Sequence, residues 1–233
     1  MILLVFFFPL AIYLLVLGLI NRRSFPLLVS GVWDGIGLLF GASGFLLFAG
    51  PAILSGLSER WRLYWLLGKG GVPLNQPDMA GPMWIFLSLL YFLLIVGGSA
   101  FYLRRQRRLT AIYNAEAAQV EHALVHCCAE LGLTPVRSGD LYLFGFSPEG
   151  KATEESAILE MESFPLMRHV TLRWDPTDSP LRPVLERQLA QQLAQSPSDY
   201  SLLGGWLLTF GFILFAFELV GSALVILLSV SSR

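Results

Sequence analysis

Residues 121–128 read EHALVHCC. His122 and His126 stand four apart, a spacing that lets two imidazoles on one helix face share a metal ion. Two thiols, Cys127 and Cys128, follow at once. At about 100° per residue, however, the histidines fall beside Gln119 and Glu130, while the cysteines flank the apolar stripe. The expectation is solvated histidines and small core cysteines. His122 and His126 stand as metal candidates without the further ligands that close a coordination sphere, and no cofactor is expected. The third histidine, His169, falls opposite Glu160 if Phe164-Pro165 is a two-residue turn, and a cross-strand charge pair then explains it. No serine, histidine and acid share the spacing of a hydrolytic triad, and the GKGG at 68–71 lacks the frame of a phosphate loop. An enzyme is therefore not the favoured reading.

Two acids stand in apolar surroundings. Asp34 is the one charged residue between 24 and 57, and Glu218 the one between 201 and 232. A charge at the centre of a membrane helix costs about 3 kcal/mol or more, so each needs a reason. Glu218 is expected to serve as a hydrogen-bonding group between helices, with a proton or cation pathway as the alternative. Asp34 either lies about nine residues into a span or caps a helix that starts at Gly35.

The elements that hold these residues follow from the charge pattern. Only 14% of the 233 residues are charged, against about 25% in a soluble domain. Residues 1–20 and 79–103 carry no charge at all. Four apolar blocks are long enough to span a bilayer: about 2–20, 26–49, 82–103 and 203–227. The first is read as an anchor and not a cleaved signal, because Arg22 and Arg23 follow the apolar run instead of preceding it. Membrane region 1–103 thus precedes a body at 104–200, and 201–233 supplies the fourth span and a short tail.

Orientation rests on arginine. One set of flanks carries Arg22, Arg23, Arg104, Arg105, Arg107 and Arg108, and the other Arg60, Arg62, Lys69 and Arg233. Basic flanks stay in the cytoplasm. The expected protein is multi-pass in the cell (inner) membrane, with both termini outside and 104–200 cytoplasmic. Arg104, Arg105, Arg107 and Arg108 would meet anionic lipid headgroups. Trp61, Tyr64 and Trp65, on one face of a short helix in the loop 50–81, would lie at the outer interface. Gly31, Gly35, Gly37 and Gly41 form small-xxx-small pairs in the second span, suited to packing inside the bundle or to a homo-oligomer.

The body is expected to be α+β, in the order α-β-β-β-α. A helical stalk continues the third span to Leu131, with Gly132 as its cap. Strands follow at 140–146, 157–162 and 168–174, then a helix opened by Pro180 and Pro183, then SPSD (196–199) capping the last span. From Leu109 to Tyr200 there are six basic and thirteen acidic side chains, a net of −7. That sign excludes a nucleic-acid partner. It suits a non-enzymatic membrane protein that anchors or assembles a protein partner through this body. The alternatives are an ion- or proton-coupled transporter or channel component using Asp34 and Glu218, and a membrane-bound metalloenzyme.

A reporter fused after Arg108 or within residues 147–151 is expected to behave as cytoplasmic, and one at Asn75 as external. Labelling of 147–151 from outside intact cells would reverse the orientation.

Overall fold

The computed structural model describes residues 2–50, 80–146, 152–198 and 201–231. Four apolar helices form a bundle: α1 (Ile2–Asn21), α2 (Gly31–Gly44, continued by a π-helical turn at Phe45–Ala49), α3 (Ala80–Gln106) and α6 (Leu202–Ser231). Among the described residues three stretches are long and apolar enough to cross a membrane, Gly31–Phe48, Ile85–Gln106 and Leu202–Leu224, and Phe7–Asn21 in α1 is a shorter apolar one. Between Ile85 and Phe101 the exposed face of α3 is apolar, with Ile85, Phe86, Leu89, Leu93, Leu94, Val96 and Phe101 all exposed.

Glycine sets the helix spacing. A Cβ added to Gly18 would stand 2.8 Å from the Leu208 nitrogen, and one added to Gly211 would stand 3.1 Å from the Leu15 nitrogen. α1 and α6 therefore meet nearly backbone to backbone, as small residues permit. Gly31 abuts the Gln106 carbonyl at the α3 end and the Leu109 carbonyl three residues on, Gly35 abuts Tyr102 and Leu103, and Gly37 and Gly41 abut the Tyr13 ring. All four glycines of the small-xxx-small pairs thus pack within the chain.

The remaining elements are β1 (Leu27–Ser30), β2 (Leu109–Tyr113), α4 (Ala117–Glu130), β3 (Val136–Ser138), β4 (Leu141–Phe146), β5 (Ala152–Phe164), β6 (His169–Asp175) and α5 (Leu181–Gln195). They build one antiparallel sheet in the order β1-β2-β6-β5-β4-β3. Two expectations are corrected here. The third span does not run on as a stalk, because the chain leaves the helix at Gln106, forms β2, and turns through Asn114 in the left-handed region (φ 55°) before α4 begins. The body is therefore not α-β-β-β-α. It has six strands, and β1 comes from the loop between α1 and α2, inside a stretch read as the start of the second span.

The β5–β6 hairpin is also corrected. Its turn is a 3₁₀ segment, Pro165–Met167, closed by Arg168 in the left-handed region. His169 pairs with Phe164, and Glu160 pairs with Arg173 at 3.5 Å, instead of with His169. The shift of four residues along β5 is even, so every side chain keeps its face.

Helices α4 and α5 cover one face of the sheet. Val120, Leu124, Cys127 and Cys128 of α4 and Leu185, Leu189 and Leu193 of α5 close on Ile112, Tyr142, Phe144, Leu159, Leu172 and Trp174. Gly132 caps α4 with φ 66°, and the Leu133 N–H reaches the Cys128 carbonyl at 2.8 Å, the hydrogen bond of a Schellman motif. Arg182, at the start of α5, donates to Glu186 (2.8 Å) and to the carbonyls of Arg107 (2.6 Å) and Leu109 (3.3 Å). This fixes α5 to the α3–β2 junction. α6 starts at Leu202, with the Gly204 N–H donating to the Ser201 hydroxyl at 3.4 Å. Ser201, and not the SPSD box, is therefore the cap.

The α1–α6 seam makes a graded prediction. Gly18→Val should lower the melting temperature in detergent, since overpacking of this kind costs about 1–3 kcal/mol. Gly97→Ala on α3, where nothing lies within 4 Å, should leave melting unchanged or raise it. Equal effects at the two glycines would refute the close approach at Gly18.

Candidate functional site

The second face of the sheet meets the bundle at one end. Pairing of Leu27 with Tyr113 and of Tyr113 with His169 places the three side by side. They alternate with core-facing Leu28, Ile112 and Val170, so they point away from α4 and α5. Between this sheet edge and the helices lies a cavity of about 160 Å³, lined by Tyr13, Leu17, Asn21, Asp34, Leu38, Tyr113, Met167, His169, Leu203 and Leu207. Residues of α1, α2, β2, β6 and α6 thus share one space.

Asp34 is its charged group. It stands in the first turn of α2, where the helix dipole favours a carboxylate. The Tyr113 hydroxyl donates to its Oδ1, and no other hydrogen bond reaches Asp34 among the described residues. Among the described residues no Lys or Arg lines the cavity. Burial, followed by the hydrogen bond and the charge of Asp34, pushes the Tyr113 pKa well above the usual phenol range, and Tyr13 and Tyr102 add to the shift. Tyr113 is therefore a fixed donor. His169 stacks between Phe164 (6.0 Å) and Tyr113 (4.7 Å). Burial lowers its pKa, opposed in part by Asp34, so the ring is neutral near pH 7. Its Nε2 is buried and has no hydrogen-bond partner.

Two asparagines hold the junction. Asn21, 2% exposed, donates to the Leu17 carbonyl at 3.0 Å, and its Oδ1 is buried without a partner. Asn114, fully buried, donates to the Arg23 carbonyl at 2.6 Å, and the Ser198 N–H bonds the Ser24 carbonyl at 2.8 Å. These bonds clasp the α1–β1 loop from both sides.

The other candidates are scattered. His122 and His126 are exposed, with His126 3.4 Å from Glu130. No group of three metal-ligating side chains exists among the described residues. Cys127 and Cys128 are buried, and burial pushes the Cys128 thiol up to about 11. They belong to the core, as expected. Glu218 is 6% exposed, and neither carboxyl oxygen has a hydrogen-bond partner among the described residues. The interhelical hydrogen bond expected of it is therefore not formed there. From Leu207 at the cavity to Glu218 is eleven residues of α6, about 16 Å along the axis, so the two acids share no site. Arg104, Arg105, Arg107 and Arg108 cluster, exposed, at the α3 end. Trp61, Tyr64 and Trp65 lie outside the described residues.

Sequence reasoning found Asp34 but missed Tyr13, Asn21, Tyr113 and His169 as its neighbours. The one available signal was Asn21, a polar residue closing an apolar run.

Tyr113→Phe should destabilise the fold by about 1–3 kcal/mol, because it leaves Asp34 without its donor. Asp34→Asn, which keeps an acceptor, should cost less. A Tyr113→Phe variant that melts like the parent would remove the bond from the account. For His169, the unfolded ring takes up a proton near pH 6.5, where the folded ring does not. Stability should therefore be level above that pH and fall as pH drops from there towards the lower folded value. Denaturation of His169→Gln as a function of pH should show a shallower fall.

No family model matches the chain, and neither a curated protein nor a solved structure is significantly similar to it.

Proposed function

We propose that the chain is a four-span integral membrane protein that carries its α+β body on the cytoplasmic side as a fixed platform for a protein partner. The spans are α1, α2, α3 and α6. At 20 residues, α1 is about 30 Å long, the thickness of a hydrocarbon core. The observation that carries the reading is β1. The loop joining two apolar helices is itself a strand of the sheet, so the body is bolted to the bundle where a flexible tether would be the simpler link. A rigid mount supports presentation of a surface at a set height and angle.

Further features agree with this reading. β1–β2 pairing brings the arginines after α1 and α3 to the sheet side, which is the more basic side. The β5–β6 turn presents an apolar tip there, Phe164, Leu166 (88% exposed) and Met167, and Met167 shares the cavity with Leu203 and Leu207 of α6. Such a tip suits the bilayer surface.

The test is affinity purification of the full chain in mild detergent, beside Leu28→Asp, which disrupts β1 packing on the core. A stoichiometric protein partner is expected with the parent and lost with the variant, while both remain membrane-integral. A parent that repeatedly emerges alone and monomeric would overturn the reading.

Transport is the second reading, and Glu218 favours it, since a buried carboxyl without a partner is costly unless used. Glu218→Leu should then abolish activity while the protein accumulates normally. If the residue has no task, Glu218→Leu should instead stabilise the bundle, read as a raised melting temperature.

A further inference from the structure

We propose that the junction cavity binds a small alkylammonium group, supplied by an aminophospholipid headgroup or by a free amine. The inference uses the contents of the cavity and rests on the four-span part of the platform reading for its lipid source, not on the protein partner. Asp34 brings a negative charge with no Lys or Arg among the described residues of the lining, and Tyr113 supplies only a neutral hydrogen bond. Asn21 adds an acceptor, Oδ1, which is buried and unpartnered in a residue only 2% exposed. His169, whose Nε2 is buried without a partner among the described residues, also lines the cavity. Two Tyr rings, Tyr13 and Tyr113, and the His169 imidazole stand around this carboxylate.

Each ligand class can be weighed against that set. An anion meets a carboxylate and no cation. An apolar molecule leaves the Asp34 charge without a counter-charge and the Asn21 oxygen unpaired, which is costly in a largely buried site. A cation satisfies both and adds attraction to the faces of the aromatic rings. A metal ion finds only one carboxylate, and no group of three His, Cys, Asp or Glu side chains stands there among the described residues. The cavity of about 160 Å³ holds about five water-sized groups at ~30 Å³ each, which is the scale of an ethanolamine or choline head. Leu17, Leu38, Met167, Leu203 and Leu207 supply the apolar wall for its methylene or methyl groups. Position agrees as well, since the cavity lies where α1 ends and α2 and α6 begin, which is the headgroup level of a bilayer.

The test uses the full-length chain, delipidated in detergent and held in an amine-free buffer. In one arm ethanolamine and choline chloride are titrated against it, with sodium chloride and glycerol as controls, and thermal melting is read. In the other arm the chain is placed in vesicles of phosphatidylglycerol with and without phosphatidylethanolamine. A saturable rise in melting temperature with the ammonium compounds and not with the controls is the expected result. A rise confined to the phosphatidylethanolamine vesicles identifies a lipid as the source, and a rise in the first arm shows that a free amine suffices. Asp34→Asn should weaken the response about tenfold or more, since it removes the charge while keeping the acceptor for Tyr113. Tyr13→Leu should weaken it independently, and it serves as the deciding variant should Asp34→Asn fail to fold. Absence of any ammonium-specific response in the folded parent, or an undiminished response in the folded variants, would overturn the proposal and leave water as the occupant.

Discussion

The backbone pairing of Leu27–Ser30 with Thr110–Tyr113 is the constraint on which the rest depends. A strand edge carries a row of unpaired N–H and carbonyl groups that invite another chain. β1 occupies that edge of β2 and hides it. In doing so it fixes where α1 ends and α2 begins. Asn114, Ser198 and Tyr113 then make their bonds to Arg23, Ser24 and Asp34 because β1 has already brought those groups within reach. Remove the pairing and the cavity has no floor.

The two acids within the apolar helices are therefore in different situations. Asp34 sits in a first helical turn, beside a tyrosine that donates to it. Glu218 sits deep in α6, far from any helix end, with no described partner. Equal on a hydropathy plot, they differ in how each can be satisfied. That difference argues for separate roles.

Several of these features were legible in the sequence and several were not. The apolar blocks, the core cysteines, the Gly132 cap and the faces of β5 and β6 follow from period and composition. β2 was hidden because Leu109, Tyr113 and Ala117 are spaced by four, and four is close to a helical turn yet also twice the strand period. β1 was hidden because LLVS inside an apolar run looks like part of a span. The hairpin register failed because a 3₁₀ turn with Arg168 in the left-handed region replaced the assumed two-residue turn. For the cavity, the acid was visible but its neighbours were not. They come from five elements, and only the fold brings Tyr13 to Tyr113.

Strand order has a consequence for synthesis. β6 lies between β2 and β5, although it is made about sixty residues after β2 and after every other strand. Until the ribosome has delivered it, β1 and β2 form a two-stranded ribbon at the bundle, and β3, β4 and β5 form a separate meander. The two-stranded ribbon is not a stable sheet alone. Insertion of a single late strand joins ribbon to meander and closes the sheet. The last helix, α6, emerges only afterwards and seals α1 from the far side. A nascent chain stopped before His169 would therefore display an open strand edge, and chaperone protection would matter most in that interval.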